Sequence, residues 1–288
     1  MARVLNKLVI IGVGLIGGSF ALDLKRARLV REVVGIGRSE ANLARALQLK
    51  VIDAASQDVA SAVQDADLVL LATPVGQMAG VMAQLARALP HDAIVTDAGS
   101  TKGDVAALYR AHLGHHLARC VPGHPIAGSD LSGAAAARYG LFEAKKVVLT
   151  PLAETSPEAL ARVRLLWEAC GAEVLQMSAS EHDAVFAAVS HLPHVLAFAY
   201  VNSLLARPDA ASCLQLAGSG FRDFTRIAGS HPEMWRDIVL ANRGPLLADL
   251  AAFKQQLDKT IAQLEAGDAA ALSADFLAAS QVRSSWKR

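Results

Sequence analysis

Near the N-terminus the sequence reads Leu8-Val9-Ile10-Ile11-Gly12-Val13-Gly14-Leu15-Ile16-Gly17-Gly18, and this stretch decides the fold of the 288-residue chain. A short aliphatic run predicts a buried strand, and the G-x-G-x-x-G pattern behind it opens a helix. Such glycines make a tight turn and admit a phosphate against bare backbone, where the helix N-terminus favours an anion. The residues predicted to bind a dinucleotide here are Gly12, Gly14, Leu15, Ile16 and Gly17.

Beyond this stretch, short aliphatic runs alternate with helical patterns, as in a parallel sheet covered by helices. The predicted strands are Leu8–Ile11, Glu32–Ile36, Leu68–Ala72, Ala93–Thr96, Lys146–Thr150 and Ala172–Met177. We predict an α/β fold in which residues 1–178 form a Rossmann-type, doubly wound, mainly parallel sheet with its ligand at the carboxyl ends of the strands. The strand pattern then stops, which predicts an all-helical domain over residues 179–288.

Composition excludes several classes of function. The 28 basic residues balance 27 acidic ones, so a nucleic acid is not an expected partner. Three cysteines at wide spacings predict neither a disulfide framework nor a zinc site and favour a reducing, cytoplasmic location. The clustered histidines lack carboxylate or thiol partners, so no metal is predicted.

Two apolar stretches resemble membrane segments. Arg3 and Lys7 precede the first apolar run as in a signal peptide, but glycines interrupt that run and the sheet needs it as a strand. The second stretch, residues 187–206, contains two histidines, a proline and an asparagine, which a membrane span would bury at high cost. We therefore expect a soluble chain with no membrane partner.

The end of the second predicted strand bears on which dinucleotide binds. Enzymes that use NAD usually place an Asp or Glu there for the ribose hydroxyls, whereas this chain has Gly37-Arg38-Ser39. A guanidinium and a hydroxyl can form charge-assisted hydrogen bonds with a 2′-phosphate, so Arg38 and Ser39 predict NADP. NAD remains possible if Arg38 is a solvated loop residue and Glu40 serves the ribose.

Two further loops follow strand ends at the same predicted edge. Thr73 and Pro74 come after one strand, and Ser100 and Lys102 come after the next. Because ligands of open α/β sheets bind at this edge, we expect Thr73, Pro74 and Ser100 beside the nicotinamide. Ser100 and Lys102 could equally be ordinary residues at the start of a helix near Gly103.

Four strings further along the chain carry a family resemblance. They are Gly123-His124-Pro125-Ile126-Ala127-Gly128-Ser129, Ser190-His191-Leu192-Pro193-His194, the run from Gly218 to Ala228, and the run from His231 to Asp237. In this order, behind a dinucleotide fingerprint, they resemble the prephenate and arogenate (cyclohexadienyl) dehydrogenases of tyrosine biosynthesis. The resemblance covers the chain from Leu8 to about Leu264.

The resemblance implies an oxidative decarboxylation. Hydride leaves the ring carbinol carbon of a cyclohexadiene acid for the nicotinamide, and the ring carboxylate leaves as carbon dioxide. His124 matches the family's catalytic histidine, which takes the proton of the ring hydroxyl. Ser100 matches the serine that orients this histidine and the nicotinamide.

The same resemblance assigns residues to the substrate. Arg226 matches an arginine that holds a substrate carboxylate, and His194 and Trp235 match residues of the substrate pocket, with Ser129 expected beside them. Arg222 stands where many relatives have a lysine, which keeps the charge but changes reach and geometry. No residue distinguishes prephenate from arogenate.

The residue types suit this chemistry independently of the family. A neutral imidazole, with an ordinary pKa near 6.5, can accept a proton at working pH, so activity is expected to fall as His124 becomes charged. An arginine fork grips a carboxylate at two points. Alternatives are another dehydrogenase of the β-hydroxyacid type, or a dinucleotide sensor without catalysis.

The helical part is expected to form a homodimer. Ser180 with Asp183 predicts the N-terminus of its first helix. Gly244-Pro245 is expected to kink the chain or start a new helix. Apolar residues at helical spacing then form one stripe, which burial within the chain would also explain: Leu246, Leu250, Phe253, Leu257, Ile261 and Leu264. The resemblance implies an isologous dimer through this domain.

Overall fold

The computed structural model describes residues 4–128 and 131–286. The chain divides into two compact units, Met1–Asn242 and Arg243–Arg288. The first unit is an α/β structure followed by helices, and the second is a pair of helices. The domain boundary predicted at residue 178 falls between a strand and a helix of the first unit. The division into domains 1–178 and 179–288 stays a prediction.

The main sheet of the first unit confirms the predicted class. Its six described strands pair in parallel in the order β3-β2-β1-β4-β5-β6. They are β1 Leu5–Ile11, β2 Val30–Ile36, β3 Ala54–Ser56, β4 Leu68–Leu71, β5 Ile94–Asp97 and β6 Cys120–Val121. The order reverses between β1 and β4, which is where a doubly wound sheet opens its ligand crevice.

Helices cover both faces of this sheet. They are α1 Leu15–Arg26, α2 Glu40–Gln48, α3 Val59–Ala62, α4 Val75–Leu85 and α5 Gly103–His112. Leu8 and Ile10 of β1 belong to the core on one face, and Val9 and Ile11 belong to the core on the other. Because both faces are buried, β1 is an uninterrupted aliphatic run and has no polar alternation.

A smaller sheet lies beside the main one. It consists of β7 Gly123–Pro125, β8 Lys146–Leu149 and β9 Glu173–Gln176, with α6 Pro157–Ala169 before β9. β7 pairs antiparallel with β8, and β8 pairs parallel with β9. The last two predicted strands therefore belong to a second sheet. β3, β6 and β7 are not among the predicted strands, because segments of two or three residues are too short to show a period.

Helices continue the first unit after β9. They are α7 Ala179–Phe186, α8 Leu192–Leu205, α9 Ala210–Gln215, α10 Ser219–Thr225 and α11 Pro232–Ala241. α7 passes into α8 through a π-helical turn, Ala187–His191, just before Pro193. Proline has no N–H and its ring crowds the preceding turn, which accounts for the wider turn at this point.

The start of α7 differs from the prediction. The capping side chain is that of Ser178, whose Oγ accepts a hydrogen bond from the backbone N–H of Glu181 at 3.1 Å. Ser180 lies inside the first turn. Asp183 caps another helix instead, because its two carboxylate oxygens accept from the backbone N–H groups of Lys102 and Gly103 at 2.8 and 2.7 Å.

One continuous helical stretch, Ala179–Leu205, is long and apolar enough to cross a membrane by length and composition, with a mean hydropathy of 1.6. It also carries His182, Asp183 and His191, which are buried. Each of the three makes hydrogen bonds to polar groups elsewhere in the first unit. These buried polar contacts favour a helix of a folded domain over a membrane span.

The second unit is a helical pair. α12 spans Arg243–Glu265 and α13 spans Ala269–Ser285. Of the two alternatives predicted for Gly244-Pro245, a kink or a new helix, the structure shows a new helix. Gly267, with a φ of +64°, forms the turn, and Asp268 caps α13 by accepting from the N–H of Ala271 at 2.9 Å. Three residues of the predicted stripe are exposed: Leu257, Ile261 and Leu264.

A buried carboxylate at the end of β5 joins three segments of the first unit. Asp97 is fully buried and forms an ion pair with Lys102, which is also fully buried. Asp97 accepts from the backbone N–H of Gly99 at 2.8 Å and from that of Gly123 at 3.2 Å. The hydroxyl of Tyr109, on α5, approaches the same carboxylate at 3.4 Å. The loop after β5 and the start of β7 are therefore held to one group.

Breaking this ion pair should destabilise the protein strongly. K102M leaves the Asp97 carboxylate buried without its cation, and we expect the free energy of unfolding to fall by about 3 to 5 kcal/mol. The double variant D97N/K102M should regain most of that loss, because no buried charge is then left without a partner. Urea denaturation measures both variants.

The exposed Arg207–Asp209 pair provides the control. R207A removes a solvent-screened contact and should leave the urea midpoint close to that of the unmodified chain. A K102M protein as stable as the unmodified chain would contradict the assignment of Asp97 as an anchoring group.

Candidate active site

The glycines after β1 form a cradle at the N-terminus of α1. Gly12 has a φ of +101°, and a Cβ atom there would lie 2.6 Å from the carbonyl oxygen of Ala72. A Cβ atom at Gly17 would lie 2.6 Å from Ile10 Cγ2, so its absence lets α1 pack closely on β1. Gly14, the N-cap of α1, has open space where a side chain would be. These are the requirements of a pyrophosphate-binding turn, so the cradle fits a dinucleotide.

The residues predicted to contact the adenosine end lie after β2. Ser39 caps α2, where its Oγ accepts from the backbone N–H of Asn42 at 3.2 Å, and its own O–H stays available as a donor. Asn42 in turn donates to the carbonyl oxygen of Val13 at 2.7 Å, which ties α2 to the glycine turn. Arg38 is exposed, and within residues 4–128 and 131–286 no carboxylate lies within ion-pair distance of its guanidinium.

Thr73 and Pro74 lie between β4 and α4, against the glycine turn. The backbone nitrogen of Thr73 would be 2.9 Å from a Cβ atom at Gly12, and Pro74 is the N-cap of α4. Thr73 Oγ1 is buried and has no hydrogen-bond partner among the described residues. A buried hydroxyl without a partner is costly, so this atom also favours a bound polar ligand at the crevice.

Three side chains form a hydrogen-bonded row beside the crevice. His124, on β7, is half-buried, and its Nδ1 lies 2.8 Å from Nε2 of His182 on α7. Nδ1 of His182 lies 2.8 Å from Oδ1 of Asp183. Asp183 is held by the two backbone N–H groups at the start of α5, as described above. The row therefore links β7, α7 and the start of α5.

The surroundings of the row keep both imidazoles neutral. Burial holds the pKa of His124 well below its ordinary value, and His182 and the buried ammonium of Lys102 lower it further. Burial also lowers the pKa of His182, although its hydrogen bond to Asp183 acts in the opposite direction. The ring of Phe186 packs against both, with centroids 4.9 Å from His124 and 4.4 Å from His182. At neutral pH His124 is thus able to accept a proton.

A second group of predicted residues gathers on α8 and α11. The rings of His194 and Trp235 stack, with centroids 3.5 Å apart and planes 18° apart. Nδ1 of His194 donates to the carbonyl oxygen of Ser190 at 2.8 Å, which leaves Nε2 as an acceptor. The pKa of His194 is lowered mainly by burial, and the positive charge of Arg226 acts in the same direction. Arg226 and Arg222 are both exposed, and Arg222 lies in the last turn of α10.

The remaining predicted residues are less constrained. Ser100 is half-buried on the loop between β5 and α5. No hydrogen bond joins it to His124 within the described part of the chain, and the imidazole Nδ1 contacts His182 instead. Ser129 lies outside the described residues.

Sequence reasoning missed several residues in the row and around it. His182 and Phe186 carry no motif of their own, and Asp183 was assigned to a helix cap at the wrong helix. Their only local signal is a histidine directly before an aspartate in one helical turn, which is common in solvated helices. Lys102 was predicted either to belong to a loop at the nicotinamide end or to be an ordinary residue at the start of a helix, and its complete burial was not predicted.

Comparison with known proteins decides the family. Residues 20–176 match the family model described as prephenate dehydrogenase, nucleotide-binding domain, and residues 178–277 match prephenate dehydrogenase, dimerization domain. The chain belongs to the prephenate dehydrogenase family. Among relatives of this family, the prephenate dehydrogenase of Bacillus subtilis is 36% identical over 98% of this chain and 76% of its own length.

Solved structures of prephenate dehydrogenase relatives share the whole fold. The prephenate dehydrogenase of Aquifex aeolicus, solved with hydroxyphenyl propionate and NAD+, is 35% identical with a TM-score of 0.91, covering 98% of both chains. The arogenate dehydrogenase of Synechocystis is 30% identical with a TM-score of 0.82, covering 96% of this chain and 99% of its own. Relatives of this chain therefore carry both substrate names.

Buried neutral histidines should make stability depend on pH. Burial lowers the pKa of His191 to about 4, and its Nδ1 accepts from Nδ2 of Asn242 at 3.0 Å. Between pH 6.5 and 4 the unfolded chain therefore binds one proton that the folded chain does not, so stability falls as pH falls. H191Q should reduce the slope of unfolding free energy against pH by about 1.4 kcal/mol per pH unit between pH 6 and 5.

Urea denaturation at several pH values measures this slope. H231Q changes an exposed histidine, which stays solvated on folding, and should keep the slope of the unmodified chain. If H191Q and the unmodified chain had the same slope, the assignment of His191 as a buried, neutral histidine would be wrong.

Proposed function

We propose that the chain catalyses the oxidative decarboxylation of prephenate, of arogenate or of both. The observation that carries the proposal is a neutral, half-buried imidazole, His124, anchored through His182 and Asp183 to the loop that follows β5 at the ligand edge of the sheet. Family membership supports the same reaction class. The products are 4-hydroxyphenylpyruvate from prephenate and tyrosine from arogenate.

In this proposal His124 is the general base that accepts the proton of the ring hydroxyl and later returns it. Its Nε2 takes this proton while hydride leaves the same carbinol carbon, for which the bound dinucleotide supplies the acceptor. The ring carboxylate then leaves as carbon dioxide, its bonding electrons make the ring aromatic, and the proton returns to the phenol oxygen. The imidazole therefore ends neutral, and general-base help of this kind contributes roughly 10²- to 10⁴-fold.

The substrate carboxylates require fixed cations. We assign Arg226 to a carboxylate, because its guanidinium is exposed and its charge acts on His194. His194 stacked on Trp235 forms an apolar wall with one acceptor nitrogen, which suits a ring substrate with a polar side chain. Arg222 and Ser129 are proposed as further substrate contacts, and Ser100 as a contact of the nicotinamide.

The proposed cofactor is NADP. Arg38 and the Ser39 hydroxyl lie after β2, where the ribose of a dinucleotide binds in this fold, and no acidic residue precedes them there. Their chemistry suits a phosphate dianion better than a pair of hydroxyls.

The proposed assembly is a cytoplasmic homodimer. The matched dimerization domain supports it, and so do exposed apolar side chains on the helices that this domain covers. They include Tyr200, Leu205, Leu214, Phe224, Leu257 and Ile261. A soluble monomer rarely leaves so many large apolar residues exposed on its helices.

Two substitutions should separate catalysis from substrate binding. H124N removes the proton acceptor, so kcat should fall by roughly 10²-fold or more while KM changes little. R226A removes a charged carboxylate contact, so KM should rise by the equivalent of about 2 to 5 kcal/mol. Initial rates with prephenate and with arogenate measure both.

The same assay tests the proposed reaction itself. A purified chain that reduces neither NADP nor NAD with either substrate would favour the dinucleotide sensor. An H124N protein with unchanged turnover would show that another residue is the base.

Cofactor preference should depend on Arg38. R38A removes the proposed phosphate contact, so kcat/KM for NADP should fall by roughly 10-fold or more while the value for NAD changes little. R45A is a matched control, because Arg45 is an exposed arginine in the last turn of α2, where it contacts Gln48. A clear preference of the unmodified enzyme for NAD would overturn the assignment.

A further inference from the structure

We infer that His182 and Asp183 are positioning residues that hold His124 in the one tautomer able to act as a base toward the substrate. The inference rests on the proposed function and adds two residues that the family strings do not contain. Its basis is the direction of the hydrogen bonds along the row, which the chemistry of Asp183 dictates.

The direction starts at the carboxylate. Asp183 Oδ1 accepts from the backbone N–H of Lys102, and Oδ2 accepts from that of Gly103. An ionised carboxylate can only accept, and its hydrogen bonds keep the pKa of Asp183 below the ordinary value in spite of burial. The contact at 2.8 Å between Asp183 Oδ1 and His182 Nδ1 therefore has the imidazole as its donor.

The same logic passes along the row to His124. A neutral His182 that donates from Nδ1 has a lone pair on Nε2, which must accept from its neighbour. That neighbour, 2.8 Å away, is Nδ1 of His124. His124 is therefore protonated at Nδ1 and unprotonated at Nε2. Its free lone pair is on the nitrogen that points away from the row.

The neutrality of His182 is what makes the row directional. A protonated His182 would present an N–H to His124 and reverse the last hydrogen bond. Burial opposes this charge, as does the ammonium of Lys102, while Asp183 and Asp97 favour it. The close packing of Phe186 against His182 removes water that could otherwise hydrate a cation. The balance leaves the pKa of His182 below its ordinary value.

The row also couples the base to the loop after β5. The carboxylate that sets the tautomer is the same group that caps the ten-residue α5, whose preceding loop carries Ser100. A displacement of that loop would move Asp183, and with it the imidazole of His182 that donates to Asp183. The position of the base is thus tied to the segment proposed to contact the nicotinamide.

The test compares two substitutions of His182. In H182L no acceptor faces His124 Nδ1, so the preferred tautomer is lost, and kcat should fall roughly 10- to 100-fold with little change in KM. In H182Q the side-chain carbonyl can accept from His124 while the amide NH2 faces Asp183, so most of the lost activity should return. A merely structural role would let the better-packed leucine outperform glutamine.

The tautomer is measured directly and without substrate. Long-range 1H–15N correlation of protein labelled at histidine, at pH 8, should report His124 protonated at Nδ1 in the unmodified chain and in H182Q, but not in H182L. The His124 signals are assigned by their absence from H124N. D183N is a poorer probe, because it also removes the cap of α5, so urea denaturation of H182L and H182Q checks that both fold.

The outcomes separate the two proposals. A His124 that is protonated at Nε2 in the unmodified chain, or an H182L protein with unchanged tautomer and unchanged kcat, overturns the inference. Failure of the proposed function appears instead as the absence of turnover in the unmodified chain. The spectra would then still report whether the row directs the tautomer.

Discussion

The site depends on one buried carboxylate, that of Asp97. It lies at the last position of β5, is fully buried, and binds the ammonium of Lys102 together with backbone N–H groups of Gly99 and Gly123. A buried carboxylate is stable only when its oxygens are paired, so all of these groups must be in place together. The loop that carries Ser100 and the strand that carries His124 are consequently fixed relative to each other.

A second carboxylate repeats this arrangement from the helical side. Asp183, on α7, caps α5 and orients the imidazole of His182, while its own carbonyl oxygen accepts from Nδ2 of Asn242 at 2.8 Å. The helices after β9 are therefore joined to the sheet by polar contacts at the site itself. Apolar packing alone tolerates small sliding movements, whereas these directional bonds specify one orientation.

Much of the fold was predictable because it follows from local pattern. Gly12, Gly14 and Gly17 have the three separate roles that the motif predicts, and the two-sided burial of β1 explains its uninterrupted aliphatic run. The placement of the last two predicted strands in a second, separate sheet was not predictable, because their pairing partners lie far apart in the sequence. The very short strands and the true N-cap of α7 were not predicted, because they carry almost no periodic signal in the sequence.

For the site, the sequence by itself determined which chemistry-bearing residues exist: the glycine turn, Arg38, His124, His194 and Arg226 all stand in recognisable strings. Only the tertiary structure decided what surrounds the base. His182 lies 58 positions from His124, and Asp183 caps a helix that begins 80 positions earlier. Local pattern reports backbone conformation and burial, whereas a hydrogen-bonded row between distant segments exists only after the chain has folded. The direction of its hydrogen bonds and the pKa values of its histidines come from burial and from neighbours that lie far apart in the sequence.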